Sequence, residues 1–172
     1  MSRHLERAGI SPRALEIADR VEDFVRNTVA PYEKDPRRTS HGPTDELANE
    51  LKGLAREAGV LTPHILPDGD HLTQRETAAV LIRTGLSPLG PLACNTAAPD
   101  EGNMFLLGKV GGPELQERFL APLVRGEKRS CFFMTEPAAD GGADGIAREL
   151  CTTALRHGKA VVTANKAMLA WH

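Results

Sequence analysis

No apolar run in this sequence approaches the roughly 18 residues that a membrane-crossing helix needs. The first ten residues, MSRHLERAGI, also lack the apolar stretch of an export signal. A mitochondrial transit peptide is poor in acids, yet Glu6, Glu16 and Asp19 interrupt the arginines of the first twenty residues. A cytoplasmic protein with no membrane insertion is therefore expected. Cysteine is scarce: Cys94, Cys131 and Cys151 are widely spaced and form no C-x-x-C pair. An odd, unpatterned count argues against a disulfide frame or a zinc site and predicts reduced, buried thiols. Net charge is almost absent, with 21 basic against 23 acidic side chains. That balance offers no basic field for nucleic acid or an anionic membrane.

Several catalytic signatures are missing as well. There is no G-x-S-x-G, no Walker loop and no H-E-x-x-H. The six histidines are scattered, and His157 beside Gly158 reads as a turn residue. Asp68-Gly69-Asp70-His71 lacks the ligand spacing and terminal glutamate of a calcium loop, so it reads as a polar turn. No metal site is expected, and no internal repeat or low-complexity tract is present.

What is present is helical periodicity. At 172 residues and 41% hydrophobic, the chain is long enough to build an ordinary core. Ser11 followed by Pro12 makes an N-cap with proline at the first helical position, and Ile17, Ala18, Val21, Phe24, Val25 and Val29 recur at helical spacing up to about Pro31. Thr44 opens a second helix with Leu47, Leu51, Leu54, Ala55 and Ala58 on one face and Gly59 as its stop. Thr73 and Glu76 form a capping box ahead of a third, closed by Gly85. Pro99, Asp100 and Glu101 suit the first turn of a fourth, which runs to Gly108. A fifth begins at Pro113 and stops at Pro122. Residues 1–127 thus read as a helical domain.

The pattern changes after Gly126. SCFFM (130–134), ELCTTAL (149–155), KAVVTA (159–164) and KAMLA (166–170) are short, rich in β-formers and separated by glycine or asparagine turns. The last two read as a hairpin around Ala164-Asn165. Residues 128–172 are therefore expected to form an incomplete antiparallel sheet, and the fold class is α+β, mainly α. So few strands leave edges and an apolar face uncovered, which predicts association.

The stretch SCFFMTEPAADGG, from Ser130 to Gly142, reads as a buried strand that ends in a turn carrying a hydroxyl and a carboxylate. With the residues before it, this stretch resembles the acyl-CoA dehydrogenases. The resemblance rests on Gly112, Gln116, Arg118, Phe119, Leu120, Pro122, Leu123 and Gly126, followed by Met134-Thr135-Glu136-Pro137. The preceding helices resemble the N-terminal helical domain of that family, so the chain corresponds to that domain and the start of the middle β-domain, without the C-terminal helical bundle.

The resemblance implies FAD as cofactor and an acyl-CoA as substrate. Backbone groups of Phe132, Phe133 and Met134 would face the polar edge of the flavin, and the Thr135 hydroxyl would sit near its reactive nitrogen. A donor at that edge stabilises the electron-rich reduced ring. By position, Leu169 and Trp171 would pack on the ring, although the hydroxyl-bearing W-I-T strand of the family is not reproduced there. The loop from Ala138 to Gly145 also departs from the family: it has no serine and carries Asp140 and Asp144. Gly141 and Gly142 can offer backbone N–H groups to an anion there, or the loop is a plain surface turn.

The glutamate that removes the substrate α-proton comes in most family members from the absent bundle, so no catalytic residue is assigned among these 172. Two functions follow as expectations. One is part of an FAD-dependent acyl-CoA dehydrogenase, inactive by itself and working in a homo- or hetero-oligomer. The other is a non-catalytic helical interaction module descended from such an enzyme.

Overall fold

The computed structural model describes residues 9–40, 42–66, 69–131, 146–159 and 161. The chain divides into two compact units, Met1–Ser130 and Cys131–His172.

In the first unit, α1 spans Pro12–Phe24 with Ser11 as N-cap, its hydroxyl accepting from Ala14 N. Ala14, Ile17, Ala18, Val21 and Phe24 are buried, the stripe that a 3.6-residue period presents to a core. The coil does not stop at Pro31. It passes through a π turn, Val25–Val29, into a 3-10 turn, Ala30–Lys34, because Pro31 falls at the start of a new turn, where its missing N–H costs nothing. A small antiparallel hairpin follows, β1 (Arg38–Thr39) on β2 (Gly42–Pro43), with Arg38 opposite Pro43.

Helix α2 (Asp45–Glu57) is capped by Thr44, whose hydroxyl accepts from Leu47 N. Just past the helix, Gly59 takes φ of 66°, the left-handed geometry that glycine adopts without strain. Helix α3 (Gln74–Thr84) carries the complete capping box between Thr73 and Glu76. The Glu76 carboxylate also accepts from Ser11 N at 3.2 Å and Ser11 Oγ at 2.5 Å. One side chain thereby ties the first turns of α1 and α3 together, and the buried Arg83 of α3 pairs with Glu22 of α1. These hydrogen bonds, led by the one from Ser11, pull the Glu76 pKa down to about 2.

Three helical pieces complete the unit: α4 (Gly90–Ala93), α5 (Asp100–Val110) and α6 (Pro113–Leu115). The last runs without a break through a π turn, Gln116–Leu120, into α7 (Ala121–Val124). The expected stop at Pro122 does not occur, because that proline enters at the start of α7, just after the π turn leaves the regular hydrogen-bond ladder. Valines, leucines and alanines of α1, α2 and α3, together with Val60, Leu89, Ala93 and Cys94, form one core. Gly90 is required by a close approach: a Cβ there would lie 1.9 Å from the Thr84 carbonyl oxygen.

In the second unit, α8 spans Ile146–Arg156. This corrects the strand expected over residues 149–155. Cys-Thr-Thr favours strand locally, but Ile146, Leu150 and Ala154 recur every four residues, and the helical period wins over propensity. Among the other expected strands, Cys131, Lys159 and Val161 lie in no strand, and the remaining residues of 130–134, 159–164 and 166–170 fall outside the described ones, apart from Ser130 in coil. Gly158, with φ of 66°, follows His157 in a turn, as expected. Cys94 and Cys151 are buried, whereas Cys131 is exposed, against the expectation that all three thiols are covered. Among the described residues no helix is long and apolar enough to cross a membrane.

Candidate functional site

The stretch that carries the family motif leaves the helical unit at Ser130, and that exit is the best-built polar feature of the unit. Asp100 opens α5 and is nearly buried, at 8% exposure. Its Oδ1 accepts from the Ser130 backbone N–H at 2.6 Å and from the Ser130 hydroxyl at 2.6 Å. One turn along α5, Asn103 Nδ2 donates to the Ser130 hydroxyl at 2.8 Å. The hydroxyl therefore accepts from one side and donates to the other, which leaves it a single orientation. Hydrogen bonds to a carboxylate are roughly twice as strong as neutral ones, so Asp100 contributes most of the hold.

A second network supports the approach to Ser130. Asn95 Nδ2 donates to Thr62 Oγ1 at 2.9 Å and to the Leu123 carbonyl at 2.8 Å, and Thr62 Oγ1 donates to the Val124 carbonyl at 2.7 Å. These bonds reach the last two carbonyls of α7, at a terminus where the helical ladder runs out; that of Leu123 also accepts from Gly126 N at 2.9 Å. Thr62 and Asn95 adopt φ of 51° and 56°, a strained choice for residues with a Cβ that the buried network maintains. Gly126 then turns the chain with φ of 68°, and a Cβ there would lie 3.4 Å from Lys52 Cδ. Burial lowers the pKa of Lys52, while the nearby Asp100 carboxylate raises it.

On the same unit a cleft of about 1420 Å³ runs between α1, the 59–71 segment and α5 to α7. Its volume exceeds the roughly 300–1,000 Å³ of small-molecule pockets, so it is an open groove. Ile17, Leu61, Phe105 and Leu120 line it, together with Arg13, Arg20, Arg56, Lys109 and Arg125 and the acids Glu16, Asp70, Glu117 and Glu127. His71 faces it, edge-on to Phe105, with ring centroids 5.9 Å apart. Gly108 makes room for that imidazole: a Cβ would sit 3.3 Å from His71 Nε2. Behind His71, His64 is fully buried, with neither ring nitrogen hydrogen-bonded among the described residues, and burial, then His71, pulls its pKa down to about 4.

Every residue expected to contact FAD, namely Phe132, Phe133, Met134, Thr135, Gly141, Leu169 and Trp171, lies outside the described residues. Ser130, two residues before the first of them, is held by Asp100 and Asn103. Among the described residues no cluster of three metal-ligating side chains exists. The roles of Asp100 and Asn103 were not legible beforehand. Asp100 read only as an acid suited to a helix start; the available signal was P-D-E-G-N standing ahead of the serine that opens the strand expected over 130–134.

No protein-family model matches the chain. Individual proteins do. It is 36% identical over 156 residues to FadE2 of Mycobacterium tuberculosis, assigned to the acyl-CoA dehydrogenases, covering 87% of this chain and 37% of that protein. It is 34% identical over 135 residues to acyl-CoA dehydrogenase family member 11 of Gallus gallus, covering 74% of this chain and 17% of that one. Among solved structures, one from Mycobacterium abscessus assigned to the acyl-CoA dehydrogenases matches with a TM-score of 0.59 at 31% identity, over 83% of this chain and 37% of that chain. The chain thus spans little more than a third of these relatives, or less.

Proposed function

This chain belongs to the acyl-CoA dehydrogenase family, and from that premise we propose that it supplies the helical portion and the flavin-facing segment of an FAD-dependent enzyme that dehydrogenates an acyl-CoA between its α and β carbons. One observation carries the reading: the match to FadE2, 156 residues long and covering 87% of this chain, takes in both the helical region and Met134-Thr135-Glu136-Pro137. Residues 1–127 form the helical domain in this reading, and residues 128–172 belong to the middle β-domain.

Bound FAD supplies the two-electron acceptor. The chain's own part is positional. Asp100 and Asn103 hold Ser130; the backbone from Phe132 to Met134 would offer donors to the polar edge of the ring, and the Thr135 hydroxyl would place one more donor where negative charge develops. Leu169, Trp171 and the N–H of Gly141 would complete the cofactor contacts. Proton removal from the α carbon needs a carboxylate close to that carbon, and none of these 172 residues is assigned to it. The 172 residues by themselves are therefore inactive, and the rest of the family architecture provides the base. Leu106 and Val110 on α5, and Ile82 and Leu86 at the end of α3, are exposed; such faces support burial against further polypeptide, in a homo- or hetero-oligomer. The compartment proposed is the cytoplasm.

The test is a titration of the purified chain with FAD, followed by flavin absorbance and fluorescence. The titration is repeated with a polypeptide covering the remainder of the FadE2 architecture. The chain by itself is expected to be colourless or to bind weakly. The reconstituted assembly should retain flavin and bleach on addition of an acyl-CoA. An assembly that forms but never takes up flavin would leave the non-catalytic module, which the serine-free loop from Ala138 to Gly145 favours.

A further inference from the structure

We infer that the His71 imidazole is a proton-operated stopper of the cleft in the helical unit: neutral, it fills a slot between His64 and α5, and protonated, it leaves that slot for the cleft, so that mild acid reshapes the cleft wall. The device lies within the first unit and is independent of the flavin reading.

Three residues build the slot. His64 is fully buried at its back, with ring centroids 5.9 Å apart and the two imidazoles tilted by 55°. Phe105 meets the His71 ring edge-on at 5.9 Å. Gly108 supplies the space, since a Cβ there would lie 3.3 Å from His71 Nε2 and 3.7 Å from Cδ2. Glycine inside a helix is a poor choice on propensity alone, and Gly108 stands within α5 without the positive φ that would require it. Room for the imidazole is what the position provides. The backbone on either side of the pair is pinned: Leu72 N donates to the His64 carbonyl at 3.0 Å, and Ile65 pairs with His71 in an isolated antiparallel bridge. Movement of His71 is therefore a side-chain rotation into the cleft that it already lines.

The seat disfavours a charged ring. Burial lowers the His71 pKa; Glu101 opposes that shift, Lys109 reinforces it and Asp70 opposes it. In the cleft the ring regains water, and the burial penalty is released. Glu117 on the π turn and Arg13, Glu16 and Arg20 on α1 line that space, whereas Arg56, Arg125 and Glu127 are engaged with one another. The sign follows from linkage. A seated ring binds its proton below the ordinary value of 6.5, and an unseated ring binds it near that value, so the proton selects the unseated state. The ratio of unseated to seated ring is constant above about pH 6.5 and rises by up to about tenfold per pH unit below it, until the seated pKa is reached.

Nuclear magnetic resonance of the full chain tests this. At pH 7.5 the His71 ring protons should show a nuclear Overhauser contact to the Gly108 α protons. As the pH is lowered that contact should decline with the same midpoint as the His71 ring titration, while the dispersed amide spectrum of a folded chain persists. Gly108→Ala, which fills the slot with a methyl group and restores helix propensity, should lose the contact already at pH 7.5 and should move the His71 midpoint up toward 6.5. A wild-type contact that survives full protonation of His71 overturns the inference, as does a folded Gly108→Ala chain whose His71 titrates like the wild type. Should the alanine variant fail to fold, the coincidence or divergence of the two wild-type midpoints decides the matter alone.

Discussion

Replacing His64 by leucine should remove most of the chain's sensitivity to mild acid. His64 is fully buried, and among the described residues neither of its ring nitrogens has a partner. Burial, with a smaller contribution from His71, lowers its pKa from 6.5 to about 4. The unfolded chain therefore binds a proton near pH 6.5 that the folded chain refuses until about pH 4. Stability is full above the unfolded value and falls as the pH drops between the two, by up to about 1.4 kcal/mol per pH unit and about 3 kcal/mol across the whole window. At pH 5 the loss comes to about 2 kcal/mol. His71, 5.9 Å away between ring centroids, adds to the slope because burial lowers its pKa too; Lys109 reinforces that shift, while Glu101 and Asp70 oppose it. Urea denaturation at pH 7 and pH 5 measures the difference. His64→Leu should be at least as stable as the wild type at pH 7, since two unpaired buried polar atoms are replaced by methyl groups, and should lose about 2 kcal/mol less on going to pH 5. Equal wild-type stability at the two pH values, or a variant with the same acid loss, would refute the reasoning.

Glu76→Gln should cost about 2 kcal/mol at pH 7, because the charge that strengthens its bonds to Ser11 and Thr73 is gone. It should also abolish the stability that the wild type retains above pH 4.5 and loses as the pH falls toward about 2; thermal melts across that range read both effects. Gly90→Ala should destabilise by at least about 3 kcal/mol or prevent folding, since its Cβ meets the Thr84 carbonyl at 1.9 Å. A soluble variant with an unshifted melt would contradict it. Asn95→Gly keeps the backbone geometry and loses the hydrogen bonds, whereas Asn95→Ala loses both, so the alanine variant should be the less stable by about 1 kcal/mol. Equal denaturation midpoints would remove the argument from φ. Thr135→Ala, in a flavin-bearing assembly, should slow flavin reduction by about tenfold to a thousandfold in single-turnover kinetics.

The helices were legible because their signals are local. Ser11-Pro12, Thr44 and the Thr73 and Glu76 pair each announce a start within four residues, and the apolar stripe follows at a fixed period. Their ends were less so. The chain passes Pro31 and Pro122 without stopping, in both cases with help from a π turn that no residue pattern advertises. The strand expected over residues 149–155 failed for the opposite reason: β-propensity was weighed residue by residue, while the four-residue recurrence from Ile146 extends beyond the segment considered.

The site divides along the same line. Thr135 could be singled out because its neighbours in sequence carry the family pattern, and a motif is local information. Asp100 could not, because its meaning lies in a contact across 30 residues that no period or cap rule reaches. The same holds for Asn95, the donor that reaches the end of α7 from 28 residues away. Both side chains act on carbonyls or N–H groups of the stretch from Leu123 to Ser130, and both belong to the segment from Asn95 to Asn103. That segment therefore serves as a template for the stretch from Leu123 to Ser130. If so, shortening it by one residue at Ala97 should release Ser130 from exchange protection even with Asp100 intact, because Asn95 and Asp100 can then no longer reach both ends of the template at once.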